Sequence, residues 1–77
     1  MILTFVEDRK KLDVMVKPEQ RIIDVYQRLL EAGFFSPLRD DRQVKVYSMR
    51  KKAYVNPMFT FWQGGIYAGD ILTFGAH

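Results

Sequence analysis

The feature that most constrains this chain is its last third. Thr60, Phe61, Trp62 and Gln63 lead through Gly64 and Gly65 to Ile66 and Tyr67, and then a Gly69, Asp70 pair opens the run Ile71, Leu72, Thr73, Phe74. This reads as a short turn, an anchor at Ile66 and Tyr67, a tight turn at Gly69 and Asp70, and a closing strand. Only Gly75, Ala76 and His77 come after that strand.

Seventy-seven residues fit one domain, residues 1–77, with a modest core. The apolar share of 48% must therefore be well ordered, and the 14% of aromatic residues helps. Each buried Phe, Tyr or Trp removes roughly 150–250 Å² from water. Cysteine is absent, which excludes a disulfide frame, a thiolate metal site and a thiol nucleophile. A cytoplasmic setting is the simplest expectation. No apolar run approaches the roughly 18–20 residues of a membrane span, so no direct insertion into a membrane is expected. Residues 1–6 pass at once into charges and do not resemble a signal peptide. The net charge of +3 permits contact with anionic surfaces without requiring it.

Residues 2–6 are rich in strand formers, and residues 12–16 alternate with Leu12, Val14 and Val16 on one face. The polar stretch 7–11 has hairpin length, so the two strands should pair antiparallel. Lys17 and Pro18 end the second strand, because proline lacks a ladder donor. From residues 20 to 32 the period becomes helical, with Ile22, Tyr26 and Leu29 on one face beside Ile23 and Leu30. Glu19 suits the helix dipole and Gly33 the C′ position, but Arg21 stands where a capping Ser, Thr or Asp is expected. Gln20 is a poor substitute for that cap.

Phe34, Phe35, Ser36 and Pro37 read as an apolar plug under the helix end, and residues 38–42 as a charged loop. Val44 and Val46 alternating with Lys45 and Tyr47 give a third strand, and Ala53, Tyr54 and Val55 a fourth. Arg50, Lys51 and Lys52 turn between them. Residues 56–68 are irregular, with one helical turn expected near 59–63. The order is strand, strand, helix, strand, strand, turn, strand, which is an α+β arrangement: a mixed four- to five-stranded sheet with one helix packed across one face.

The chain resembles the ubiquitin-like (β-grasp) superfamily over essentially its whole length. The resemblance rests on Leu12, Val14, Val16 and Pro18, on Ile22, Val25, Tyr26 and Leu29 in the helix, on Val44 and Val46, on Gly65 and Ile66, and on Gly69, Asp70, Leu72 and Phe74. It is most similar to the small stand-alone ubiquitin-like accessory proteins of Gram-positive type VII secretion systems. Those share its size and closing motif and lack a Gly-Gly tail. The resemblance implies that the last strand lies at the centre of the sheet. It also implies a binding module rather than a conjugated modifier or sulfur carrier, which would need a flexible tail ending in Gly-Gly. Residues 58–62 and the basic Arg50, Lys51 and Lys52 depart from the subfamily.

If the helix covers one face, that face carries Leu3, Phe5, Leu12, Val14, Val16, Val44, Val46, Leu72 and Phe74. Alternation then sends Ile2, Thr4, Val6, Met15, Lys45, Tyr47, Ile71 and Thr73 to the other. Ile2, Met15, Tyr47 and Ile71 are large and apolar for an uncovered face, and ubiquitin relatives bind partners there. Ile2, Met15, Lys45, Tyr47 and Ile71 are therefore the expected contact residues. A one-residue slip in register would exchange the two sets.

Little in the sequence resembles a catalytic site. His77 stands alone at the last position, Asp40 and Asp41 are flanked by Arg39 and Arg42 as in a self-neutralised loop, and Gly64 and Gly65 precede no phosphate-binding Lys-Ser/Thr. No enzyme activity, metal or cofactor is expected. Arg9, Lys10 and Lys11 form one basic group, and Arg50, Lys51 and Lys52 another, which with Tyr47 and Tyr54 could contact nucleic acid. The proposed topology puts these groups at opposite ends of the sheet. Residues 59–62 could hold a ligand, but a small domain short of core spends such residues on packing.

The expectation is thus a non-enzymatic ubiquitin-like protein-binding module, an accessory or regulatory component of a bacterial type VII secretion system. Its partner by resemblance is a cytosolic domain of a secretion-system membrane subunit, with a homodimer as the other occupant of the same face. A small nucleic-acid-binding regulator using its basic turns is the alternative.

Overall fold

The computed structural model describes residues 1–35 and 44–75. Five strands and one helix follow in the order β1 (Ile2–Glu7), β2 (Lys10–Met15), α1 (Ile22–Glu31), β3 (Lys45–Ser48), β4 (Ala53–Val55) and β5 (Ile71–Gly75). They form a small α+β domain with one mixed sheet ordered β2-β1-β5-β3-β4. The central pair, β1 and β5, is parallel and every other pair is antiparallel. No helix among the described residues is long and apolar enough to cross a membrane.

Strand alternation sets the two faces as the sequence leads one to expect. Leu3, Phe5, Val46, Leu72 and Phe74 are buried and meet Ile22, Val25 and Tyr26 of α1. Leu12, Val14 and Val44 are partly buried against this core, and Val16 is fully within it. Aromatic rings join the layers: Tyr26 stacks on Phe74 with centroids 4.5 Å apart and lies 5.9 Å from Phe35, and Phe5 sits 4.8 Å from Phe74. Offset or tilted arrangements of this kind add to the gain from burial alone.

Several local details differ from the sequence expectation. The β1–β2 connection is only Asp8 and Arg9, not residues 7–11, and Asp8 takes a positive φ of 54°. Aspartate tolerates that conformation better than most residues. Glu7 belongs to the strand and is buried, where its carboxylate accepts a hydrogen bond from the Tyr26 hydroxyl. Burial first, and the hydrogen bond and charge of Glu7 after it, hold the Tyr26 hydroxyl well above the ordinary tyrosine range.

The helix begins at Ile22, two residues later than its period suggests, because Arg21 is extended and bridges to Thr60. Arg21 provides no side-chain cap. Carbonyls from another part of the chain take over that role: Ile22 N–H donates to Phe59 O at 3.0 Å and Ile23 N–H to Pro57 O at 2.9 Å. These are two of the donors that a helix start leaves unpaired. The side chain of Gln20 accepts from Lys17 N–H rather than from the helix. At the other end, Gly33 at φ 82° closes a Schellman motif, with Gly33 N–H on Leu30 O and Phe34 N–H on Leu29 O. Phe35 is the buried plug, whereas Phe34 is exposed. Ser36, Pro37 and the 38–42 loop with Asp40 and Asp41 lie outside the described residues, as does His77.

The Gly69 and Asp70 pair has a specific physical task. Gly69 takes a φ of 88°, and Asp70, fully buried, gathers the β3–β4 turn onto the start of β5. Its carboxylate accepts from Ser48 Oγ at 2.6 Å, from Arg50 N–H at 3.2 Å and from Ile71 N–H at 2.7 Å. Ser48 Oγ in turn accepts from Lys51 N–H at 3.1 Å. Ile66 is buried as an anchor, but its neighbour Tyr67 is exposed. Gly64 and Gly65 serve two needs. A Cβ on Gly64 would stand 2.7 Å from Val55 Cγ1, and Gly65 has a φ of 69°.

Candidate functional site

The face of the sheet away from α1 is a continuous surface whose rows follow from the register. Met15 pairs with Ile2 at one corner. Asp13, Thr4 and Ile71 form the next row, and Met49 extends it, its N–H donating to Ile71 O at 3.0 Å. Lys11, Val6, Thr73, Tyr47 and Tyr54 cross all five strands in a third row. Gly75 and Lys45 complete the fourth. At the usual strand spacing this face is roughly 19 Å wide.

All five expected contact residues lie on this face. Met15 is 77% exposed and Ile2 52%, Lys45 is exposed, and Tyr47 and Ile71 are half-buried. They are not one tight cluster: Ile2 and Met15 occupy the corner, and Lys45 and Tyr47 lie across β5 from them. Met49 and Tyr54, both more than half exposed, fill in the surface and were not among the expected contacts. Met49 continues the alternation of Lys45 and Tyr47 in the sequence, whereas the pairing of Tyr54 with Tyr47 follows from the hairpin register.

The Tyr47 and Tyr54 rings meet edge to face with centroids 5.1 Å apart, and Lys45 Nζ lies 5.9 Å from the Tyr54 ring centre. Lys45, Tyr47, Met49, Tyr54 and Thr73 line an open groove of about 360 Å³ here. The face carries cations at both sides, Lys11 on β2 and Lys45 on β3. Its acid, Asp13, accepts the Thr4 hydroxyl at 2.7 Å. Apolar area, two aromatic rings and flanking cations can hold a protein surface.

The two basic groups lie at opposite ends of the sheet, as the topology requires: β1 and β5 run parallel and β3 runs against β5. Arg9 is in the β1–β2 turn, Lys10 and Lys11 start β2, and Lys52 closes the β3–β4 turn at φ 55°. Arg50 and Lys51 are engaged within the protein, Arg50 Nη1 donating to Ala68 O at 3.0 Å and Lys51 Nζ to Gly64 O at 2.5 Å.

The aromatic stretch divides. Phe61 is core, 6.4 Å from Phe5, whereas Met58, Phe59 and Trp62 are exposed at 57, 42 and 75%. The packing role expected for this stretch therefore holds for Phe61 alone. A hydrogen bond from Gly64 N–H to Thr60 O closes one helical turn close to where it was expected.

What the residues define is a small α+β domain with a helix on one sheet face and an open, partly apolar surface on the other. No protein-family model matches the sequence, and no curated protein matches it.

Proposed function

We propose that the chain is a non-enzymatic protein-binding module of the ubiquitin-like, β-grasp kind, and that the open sheet face is its docking surface. Two features support the β-grasp assignment: the strand order β2-β1-β5-β3-β4 with a parallel central pair, and a helix lying across one face. The observation that carries the docking role is the uncovered face itself, where Ile2, Met15, Met49 and Tyr54 leave large apolar side chains in solvent beside Tyr47 and Ile71. Large apolar side chains gathered on one uncovered face, with polar residues between them, are features of an interaction surface.

The resemblance of the sequence to small stand-alone accessory proteins of type VII secretion supports a role in such a system. Its partner is then a cytosolic domain of a membrane subunit, and its location the cytoplasm. A crosslinking pull-down from native cells tests this, comparing wild type with a Tyr47→Asp, Ile71→Asp double variant checked for folding by circular dichroism. Wild type should enrich secretion-machine subunits and the folded variant should lose them. Recovery of the same RNA-associated set by both forms would assign the function to the basic turns instead.

A further inference from the structure

The loop of residues 58–66 combines fully paired backbone N–H groups with bare apolar side chains. Each backbone N–H from Met58 to Ile66 has an acceptor inside the protein. Met58 donates to Asn56 Oδ1, Phe59 to Asn56 O, Thr60 to Gln63 Oε1 and Gln63 to Thr60 Oγ1. Phe61 donates to Gln20 O, Trp62 to Pro18 O, Gly64 to Thr60 O, Gly65 to Trp62 O and Ile66 to Phe61 O. Yet Met58, Phe59 and Trp62 stay exposed within five residues of chain, at most about 14 Å end to end. Such a loop offers no backbone donor to a peptide. Its N–H groups also carry no unpaired donor into the boundary layer of a lipid surface, where each one would cost free energy.

Its electrostatic surroundings are one-sided. Residues 56–68 carry no charge. The segments bonded to them, with their immediate neighbours, carry Lys17, Arg21, Arg50, Lys51 and Lys52 against the two acids Glu19 and Asp24. Trp and Phe settle at the boundary between headgroups and acyl chains, and nearby Lys and Arg are drawn to anionic lipid.

We infer that residues 58–62 form a wedge that seats the domain on an anionic lipid surface, with Met58, Phe59 and Trp62 entering the headgroup layer and Lys17 and Arg21 facing lipid phosphates. The expectation of no membrane insertion rested on the lack of a spanning run, and a shallow wedge needs none. The wedge is bonded to the start of α1, through Phe59 O and the Arg21–Thr60 bridge.

Trp62 is the only tryptophan of the chain and reports directly on its own surroundings. Its emission should shift to the blue, and be quenched by brominated acyl chains, on adding vesicles of phosphatidylcholine with phosphatidylglycerol. Pure phosphatidylcholine vesicles should have a much smaller effect. A Met58→Ser, Phe59→Ser variant, which keeps the tryptophan and the backbone bonds, should co-sediment at least about tenfold less. Lys17→Glu with Arg21→Glu should remove the preference for anionic lipid. Three results overturn the inference: unchanged emission with both vesicles at low salt; co-sedimentation without a shift, which means the basic groups bind alone; or a concentration-dependent shift without lipid, which means a second copy covers the loop.

Discussion

The two faces of the sheet are built from the same strands but meet different demands. On the helix side, Leu3, Phe5, Val46 and Leu72 are wholly buried, and the polar groups that enter, Glu7, Ser48 and Asp70, are hydrogen-bonded. On the open side the neighbouring positions in the same strands hold Ile2, Thr4, Tyr47 and Ile71, all of them in contact with solvent to some degree. The helix side is set by packing, where a lost methylene leaves a cavity. The open side has no such constraint, and its large apolar residues are held only by their neighbours on the sheet.

That contrast can be broken from either side. The largest effect should come from Phe5→Ala, which empties the site between Phe61 and Phe74 and should lower stability by about 3–5 kcal/mol in urea unfolding. A loss below about 1 kcal/mol would mean that the central strands are not the packed layer.

Tyr26→Phe comes next. It removes the hydroxyl that donates to buried Glu7 and should cost about 1–3 kcal/mol at neutral pH. It also has a pH signature. The unfolded chain releases the tyrosine proton near the ordinary value of about 10, while the folded protein retains it to higher pH. The stability tied to this proton is therefore intact below about pH 10 and declines as pH rises beyond it. The advantage of wild type over the variant should be constant up to about pH 9 and shrink between about pH 10 and pH 12. An advantage that stays constant would show that Tyr26 gives up its proton at its usual value.

The smallest effect belongs to the open face, where Met15→Ser should change stability by no more than about 0.5 kcal/mol in the same assay. A clear loss there would place Met15 in the fold rather than in a contact surface.

Much of the helix-side layer could be read from alternation, because strands with one buried face encode it in every second residue. The closing strand was also legible, since Gly69 and Asp70 mark a turn whose geometry few other residues allow. Glu7 was harder to read: a glutamate next to Asp8, Arg9 and Lys10 looks like turn, and only the distant Tyr26 makes it a strand residue. The start of α1 was misplaced for a similar reason, because its capping groups are carbonyls of Pro57 and Phe59 and backbone acceptors leave no trace in a sequence. Residues 58–62 have no period that separates Phe61 from its exposed neighbours. On the open face, the short β3–β4 hairpin places Tyr54 beside Tyr47, a pairing that can be assigned only once the turn length is known.

The parallel pairing of β1 with β5 also has a consequence for how the molecule is made. The two strands that share the middle of the sheet lie at opposite ends of the described chain, so the nascent polypeptide can assemble two separate hairpins but cannot join them. Until residues 71–75 have cleared the ribosome, the inner edges of β1 and β3 stay open to pairing with anything extended nearby. The sheet is therefore closed only by its last strand, and its two hairpins have no shared hydrogen bonds until that strand is in place.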